Sequence, residues 1–446
     1  MTETMRRKID ARLDAWADGP RRRPLLLLGA RQVGKTFSAR RLGERRFANT
    51  LTVNFQTNID RLTTLFSQDL MPQRIIADLA ALYGTRIDPS STLLVFDEIQ
   101  LCQPAITSLK YFAEDAPDYA IIATGSQFGV TIHRDPRYSF PVGKVAILHH
   151  HPLDFEEYLW AHGRDVWAEG IRDSYERLTA FPAHDEVTRL FRAYLMTGGM
   201  PGAVATWLAT HDWVATREAQ REISALYTAD MAIYLDDVDA ARAQAVWRSI
   251  PGQLARETTS KFKLSDVASG ARSHHYDGPF AWLDAAAVIH RHYQASGVAA
   301  PLEARDGGTY FKVYMVDVGL LAAAMGIRPD VFLDHDGYTQ LSARFRGAIA
   351  ENHVKQALAG NDVESMYWTG GRTAEVDFLI VDDLMRVIPV EVKSADNVKS
   401  KSLASFVAAY EPPYAVRLST KNYGFENTIV SIPLYSAHCL TGSLKP

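Results

Sequence analysis

The apolar positions of this chain fall into two patterns. Short unbroken runs within Leu25–Leu28, Thr92–Asp97 and Tyr119–Thr124 have the form of strands buried on both faces. Leu51-Thr52-Val53-Asn54-Phe55 alternates and predicts another strand. Ile9, Leu13 and Trp16 recur at helical spacing and predict a helix over 5–18, with further helices over 37–42 and 75–83. From Pro152 to about Ile233 the pattern is mostly helical, with helices over 155–160 and 187–196. The glycine turn Thr197–Gly202 follows them. Residues 246–315 read as helix, short helix, helix and strand pair (246–257, 264–270, 276–287, then 288–293 with 309–313), the order of a winged helix. Near the end come an amphipathic helix over 345–358 and strands over 374–380 and 388–394.

The chemistry starts where the first strand ends. Gly29-Ala30-Arg31-Gln32-Val33-Gly34-Lys35-Thr36 has the form G-x-x-x-x-G-K-T, between a buried strand and a helical run. That context is the one a phosphate-binding loop requires. Gly29 and Gly34 let the backbone curl its N–H groups toward an anion. The helix opening at Lys35 adds its unpaired N–H groups and positive dipole end. Lys35 is expected to reach the β- and γ-phosphates, and the Thr36 hydroxyl to ligate Mg²⁺.

The strand over 92–97 ends in Asp97-Glu98. At the carboxyl end of a parallel strand Asp97 can hold Mg²⁺, directly or through water. Glu98 is placed to act as the general base on the attacking water. Thr124 and Ser126 are candidates to sense the γ-phosphate, although a plain hydroxyl-rich turn fits them as well. Arg134, Arg137 and Lys144 follow, any of which could meet phosphate in cis or in a neighbouring subunit, so a homo-oligomer stays open. His149-His150-His151 are consecutive and read as a strand-end surface rather than a metal site; Arg21-Arg22-Arg23 reads as a solvated loop.

A second constellation lies near the carboxyl terminus. Glu391 and Lys393 share one face of a strand while Val390 and Val392 share the other. Asp377 sits on the neighbouring strand and Glu351 on the preceding helix. Metal-dependent phosphodiester cleavage can use such a set. Asp377 and Glu391 would bind Mg²⁺, Glu351 would complete the outer shell, and Lys393 would position or deprotonate water or stabilise phosphate charge. A hairpin with polar residues on its wet face has the same spacing, and spacing alone does not separate the two.

Composition adds bounds. At 446 residues the chain exceeds one compact core. A hydrophobic share of 47% and a charged share of 22% are those of a soluble globular protein. The net charge of −4 gives no overall argument for nucleic acid, though a local basic face stays compatible with it. Cys102 and Cys439 match no metal spacing and fit a reducing compartment. No apolar run approaches the roughly 18 residues of a membrane span, and no signal-peptide core opens the chain, so a cytoplasmic location is expected.

Taken in order, these strings resemble a widespread prokaryotic ATPase family, in which an AAA+-like P-loop domain precedes a C-terminal domain of unknown function with a nuclease-like core. The resemblance rests on Gly29–Thr36, Phe96–Gln100, Thr124–Ser126, Pro152–Leu159, Gly198–Gly202, Tyr314–Leu320, Gly347–Glu351, Glu375–Phe378 and Pro389–Ser394. It implies ATP rather than GTP, and it lays Glu351, Asp377, Glu391 and Lys393 on the PD-(D/E)xK nuclease positions. Where that family often has Gly-Arg, this chain has Gly143-Lys144, and Lys lacks the bidentate fork of Arg. The expected fold class is α/β: a parallel-sheet P-loop NTPase core over 1–150, a helical lid over 151–235, a winged-helix-like segment over 236–330 and a restriction-endonuclease-like domain over 331–446. The expected activity is an Mg²⁺-dependent ATPase coupled to a nuclease-like domain acting on DNA or other nucleic acid, with no membrane partner. The alternative is an ATP-controlled switch whose C-terminal domain binds without cutting.

Overall fold

The leucine run becomes β1 (Leu25–Leu28), the inner strand of a five-stranded parallel sheet in this computed structural model, which describes residues 5–20, 22–125, 138–256, 261–371, 374–394 and 400–441. The chain divides into two compact units. One comprises Arg6–His151 with Phe280–Val288, the other Pro152–Pro279 with Ile289–Pro446.

In the first unit the strand order is β2 (Asn49–Asn54), β3 (Thr92–Asp97), β4 (Ala120–Gly125), β1, β5 (Ala146–His149). Each pairing is parallel. The inner strands β3 and β4 are buried at every position, as a two-sided parallel sheet demands, whereas the edge strand β5 alternates. One face is covered by α1 (Ile9–Asp18) and α2 (Lys35–Arg46), through Leu13, Ala39 and Leu42 on Leu25, Leu27 and Val95. The other carries α3 (Ile59–Gln68), α4 (Pro72–Tyr83) and α5 (Gln103–Asp115). There Phe55, Phe66 and Phe96 meet edge-on or tilted with centroids 5.6–5.9 Å apart. Each buried ring contributes about 1.5–3 kcal/mol. Because all five strands run the same way, Leu28, Asn54, Asp97 and Gly125 end on one edge of the sheet.

The second unit opens with the helices Phe155–Ala161, Asp165–Arg177, His184–Thr197, Pro201–Thr210, Trp213–Tyr234 and Asp237–Leu254. The last begins nine residues ahead of the expected 246, because Asp236 caps it by accepting from Val238 and Asp239 N–H. The short helix expected over 264–270 is a single 3₁₀ turn, Leu264–Asp266. The expected strand pair is present as antiparallel β6 (Ile289–Tyr293) and β7 (Phe311–Met315). A mixed six-stranded sheet follows in the order β12 (Gly424–Glu426), β13 (Ile429–Pro433), β11 (Ala415–Ser419), β10 (Val387–Val392), β9 (Ala374–Val381), β8 (Met366–Gly370). The β6–β7 hairpin is a sheet of its own, tied to β8 by the residues just past β6. Ala295 N–H donates to Tyr367 C=O at 2.8 Å and the Gln294 amide to Thr369 Oγ1 at 2.6 Å. The hairpin face that a winged helix would leave as a wing is thus packed on the C-terminal sheet.

Two short glycine strings and the segment around Leu153 meet at one crossing in this unit. A Cβ on Gly199 would lie 1.9 Å from Leu153 O, and one on Gly319 would lie 2.5 Å from Gly198 N. Asp317 ties the crossing by accepting from Gly199 N–H at 2.6 Å and Leu320 N–H at 3.0 Å. Burial pushes the Asp317 carboxyl up to about 6, against the opposing pull of those N–H groups. The folded state therefore binds this proton more tightly than the unfolded chain does. The resulting stability is complete below an unfolded value of about 4 and is lost as pH rises through about 6. Melting temperatures of the wild type and Asp317→Asn should accordingly diverge in slope over that window, with only the wild type carrying this loss. Parallel profiles would contradict the assignment.

Candidate functional site

At the carboxyl edge of the parallel sheet the chain leaves β1 through Gly29, whose φ is +145°; Gln32 and Gly34 are also left-handed, at +70° and +97°. Gly34 is the N-cap of α2. Gly29 has no room for a side chain, since a Cβ there would stand 2.1 Å from His150 O. Ala30, Arg31 and Val33 complete the turn, with Ala30 and Val33 buried. Lys35 is 7% exposed, and its ammonium donates to Gly29 O at 2.9 Å and Ala30 O at 2.8 Å. It lies across the mouth of the turn it is expected to serve.

The Asp97 carboxylate collects donors from three other elements. Thr36 Oγ1 donates to Oδ1 at 2.6 Å, Thr124 Oγ1 to Oδ1 at 2.5 Å, and Asn54 Nδ2 to Oδ2 at 3.1 Å. Thr36 and Asp97 are therefore brought together across the sheet edge. A hydroxyl and a carboxylate converging beside a phosphate-binding turn fit a hard, oxygen-seeking cation such as Mg²⁺. Glu98 sits at φ +55°, a strained conformation for a residue with a side chain, and Gln100 Nε2 donates to its Oε2 at 2.5 Å. Ser126, Arg134 and Arg137 lie outside the described residues. Lys144 is paired with Glu114 at 2.9 Å.

Arg7, which the sequence did not single out, and His150, the middle of the histidine triplet, brace this turn from behind. Arg7 donates to Val33 O at 3.0 Å and to His151 O at 2.6 Å. His150, 1% exposed, has Nε2 at 2.9 Å from Ser38 Oγ on α2. Burial and then the Arg7 charge hold its imidazole well below the usual range, so it is neutral. The middle histidine is thus an interior group, not the strand-end surface expected of the triplet; His149 is the exposed one. His150 follows the parity of β5, on which Ile147 and His149 are exposed.

In the second unit Glu351, Asp377, Glu391 and Lys393 do gather. Lys393 Nζ is 2.6 Å from Glu391 Oε1, which also accepts from Ser400 Oγ at 2.8 Å. Glu391 Oε2 is buried without a hydrogen-bond partner among the described residues. Asp377 Oδ2 accepts from Val392 N–H at 2.8 Å. Burial, then the charges of Glu391 and Glu351, hold the Asp377 carboxyl well above the usual range. For Lys393 burial works the other way, but Glu391 and Asp377 outweigh it and raise the amine. A buried orphan oxygen on Glu391, facing a like-charged Asp377, is the donor chemistry that a cation completes. Among the described residues no group of three or more His, Cys, Asp or Glu is arranged to hold a metal by itself. The sequence missed Lys312, Tyr314 and Glu375 here. Lys312 Nζ is 2.6 Å from Glu375 Oε1 and 3.3 Å from Glu351 Oε2, and Tyr314 OH donates to Glu351 Oε2 at 2.9 Å.

Comparison with known proteins bears on the first of these sites. Residues 21–159 match a family model described as AAA domain. They form an AAA-type P-loop ATPase domain. Residues 188–331 and 346–436 match two models described as domains of unknown function, DUF8612 and DUF4143. No curated protein matches the chain. Among solved structures it is similar to the Aeropyrum pernix Orc1 protein in complex with DNA, at 14% identity over 73% of this chain and 94% of that one, with a TM-score of 0.31. It is also similar to Cdc6p from Pyrobaculum aerophilum, at 12% identity over 74% and 92%, with a TM-score of 0.26. Scores this low carry no argument about this chain. No helix among the described residues is long and apolar enough to cross a membrane.

The turn geometry makes Gly29 the most sensitive position of the first site. Gly29→Ala combines a left-handed backbone with an overlap on the His150 carbonyl, and should cost roughly 2–4 kcal/mol. Denaturant unfolding of the full chain measures it. An unchanged midpoint would contradict the packing described.

Proposed function

We propose that the protein is an Mg²⁺-dependent ATPase whose AAA-type domain works with a C-terminal phosphodiester-cleaving domain acting on DNA or other nucleic acid. The observation that carries the ATPase half is the 2.6 Å approach of Thr36 Oγ1 to Asp97 at the open edge of the sheet, beside the glycine turn. In this reading the backbone N–H groups of Gly29 to Gly34 surround the phosphates. Lys35 exchanges its carbonyl partners for the β- and γ-phosphates, which removes the bonds closing the turn. Thr36 and Asp97 hold Mg²⁺, which neutralises phosphate charge when bound. Glu98 takes the proton of the attacking water, with Gln100 fixing its carboxylate. Thr124 and Ser126 remain candidates to sense the γ-phosphate.

The cleavage half rests on the gathering of Glu351, Asp377, Glu391 and Lys393. Asp377 and Glu391 offer metal-binding oxygens, Glu351 orders the outer shell, and Lys393 orients water or stabilises phosphate charge. The domain plan that goes with this reading is 1–150 for the ATPase core, 151–235 for a helical lid, 236–330 for a winged-helix-like segment and 331–446 for the nuclease-like domain. A second reading is favoured by one observation. Lysines already neutralise Glu351 and Glu391, which suits a binding surface switched by ATP rather than a cutting site.

Lys35→Ala should abolish ATP binding and turnover in the full chain. Glu98→Gln should keep binding and lower turnover by about 10²–10⁴-fold. Wild-type turnover by Lys35→Ala would end the ATPase reading. For the second half, plasmid, single-stranded DNA and RNA are incubated with Mg²⁺ or Mn²⁺. Cleavage should vanish in an Asp377→Ala/Lys393→Ala pair. Equal behaviour of the pair and the wild type would leave the switch.

A further inference from the structure

The C-terminal carboxylates are not all served by their own sheet. Lys312 and Tyr314 come from β7, on one face of a hairpin that lies outside the 346–436 match. Their side chains enter the cluster from the side of the helix Ala343–Gly360. Lys312 is 11% exposed along its side chain, with its ammonium 2.6 Å from Glu375 Oε1, 3.3 Å from Glu351 Oε2 and 5.4 Å from the centre of the Tyr367 ring. Tyr314 OH donates to the same Glu351 oxygen at 2.9 Å. The hairpin is pinned by His292, whose Nε2 donates to the Asp377 carbonyl at 2.9 Å. The lysine is therefore held in place from both ends, not laid across a surface.

Charge accounting gives this placement a meaning. Glu351, Glu375 and Asp377 face one region, and carboxylates so gathered need a cation among them. Lys312 supplies it between Glu351 and Glu375. Around Asp377 and Glu391 the donors are Val392 N–H, Ser400 Oγ and Lys393, and Glu391 Oε2 is left over. The fully buried acceptor left without a partner among the described residues thus lies on the Asp377–Glu391 side of the cluster.

We infer that Lys312 is a built-in second cation of the C-terminal centre: it holds Glu351 and Glu375 in place of a metal and restricts the centre to one divalent ion, at Asp377 and Glu391. The inference rests on the proposed reading of those two carboxylates as metal ligands. Lys312 is then a positioning residue, and the hairpin is part of the site.

The test counts ions and does not depend on cleavage. Full-length protein carrying Lys35→Ala and Asp97→Ala, to silence the nucleotide side, is titrated with Mn²⁺ while free Mn²⁺ is followed by electron paramagnetic resonance. The ions lost on adding Asp377→Ala together with Glu351→Ala are assigned to the centre. One is expected in that background, and two when Lys312→Met is added, because Glu351 and Glu375 then lack their lysine. Lys312→Gln, which keeps a polar side chain, should give the same doubling and guards against a folding defect, read by thermal melting. A count of one in both Lys312 variants overturns the inference and leaves the one-metal reading intact. A count of two before Lys312 is changed also overturns it. A count of zero throughout overturns both.

Discussion

Four structural elements of the AAA-type domain meet at one carboxylate. Asp97 ends β3, and it is bonded by Thr36 from the first turn of α2, Asn54 from the end of β2 and Thr124 from the end of β4. Each of these bonds involves an ionised acceptor and contributes about 1.5–3 kcal/mol where it is shielded from water. Their larger consequence is geometric. They fix the phosphate-binding turn against the acidic strand end, so the distance that matters for chemistry is set by the sheet. Behind the turn, Arg7 and His150 do the same from the other side, joining Val33, Ser38 and the His151 carbonyl.

The C-terminal cluster is organised on the opposite electrostatic plan. Asp97 is balanced by neutral donors, whereas Glu351, Glu375 and Glu391 are each paired with an ammonium. Removing charges from water is costly unless they are paired and hydrogen-bonded, and among the described residues the fully buried carboxylate oxygen of this cluster left without a partner is Glu391 Oε2. A nearly neutralised site with one acceptor left over suits a single divalent ion. It suits equally well a surface that has stopped cutting, which is why the two readings diverge in metal binding before they diverge in fold.

Much of this was legible along the chain. The glycine turn, Lys35, Thr36 and Asp97 declare themselves through residue type in a strand–turn–helix context, and the parallel strands through unbroken apolar runs. Glu351, Asp377, Glu391 and Lys393 were found as separate strings, and the fold brings them together. What stayed hidden arises from contacts between distant residues. Arg7 looked like one more charge in an amphipathic helix, yet it meets a carbonyl 144 residues away. Lys312 lay in an expected strand and Tyr314 just past it, neither given a role, and only the packing of that hairpin on the C-terminal sheet turns them toward Glu351. His150 stayed hidden for the same reason, because the apolar Ile147 lies on the exposed face of β5 and residue type alone gives no inward parity.

The central claim is that a triphosphate is held in the turn after β1 with its metal bridged between Thr36 and Asp97. A crystal structure of the full chain with a non-hydrolysable ATP analogue and Mn²⁺ tests it most directly. The account predicts an anomalous peak within coordination distance of Thr36 Oγ1 and on the Asp97 side of the phosphates, with the Lys35 ammonium moved from Gly29 O and Ala30 O onto the phosphates. An analogue bound elsewhere, or one in the turn with Lys35 still on its carbonyls and no manganese between Thr36 and Asp97, would contradict it.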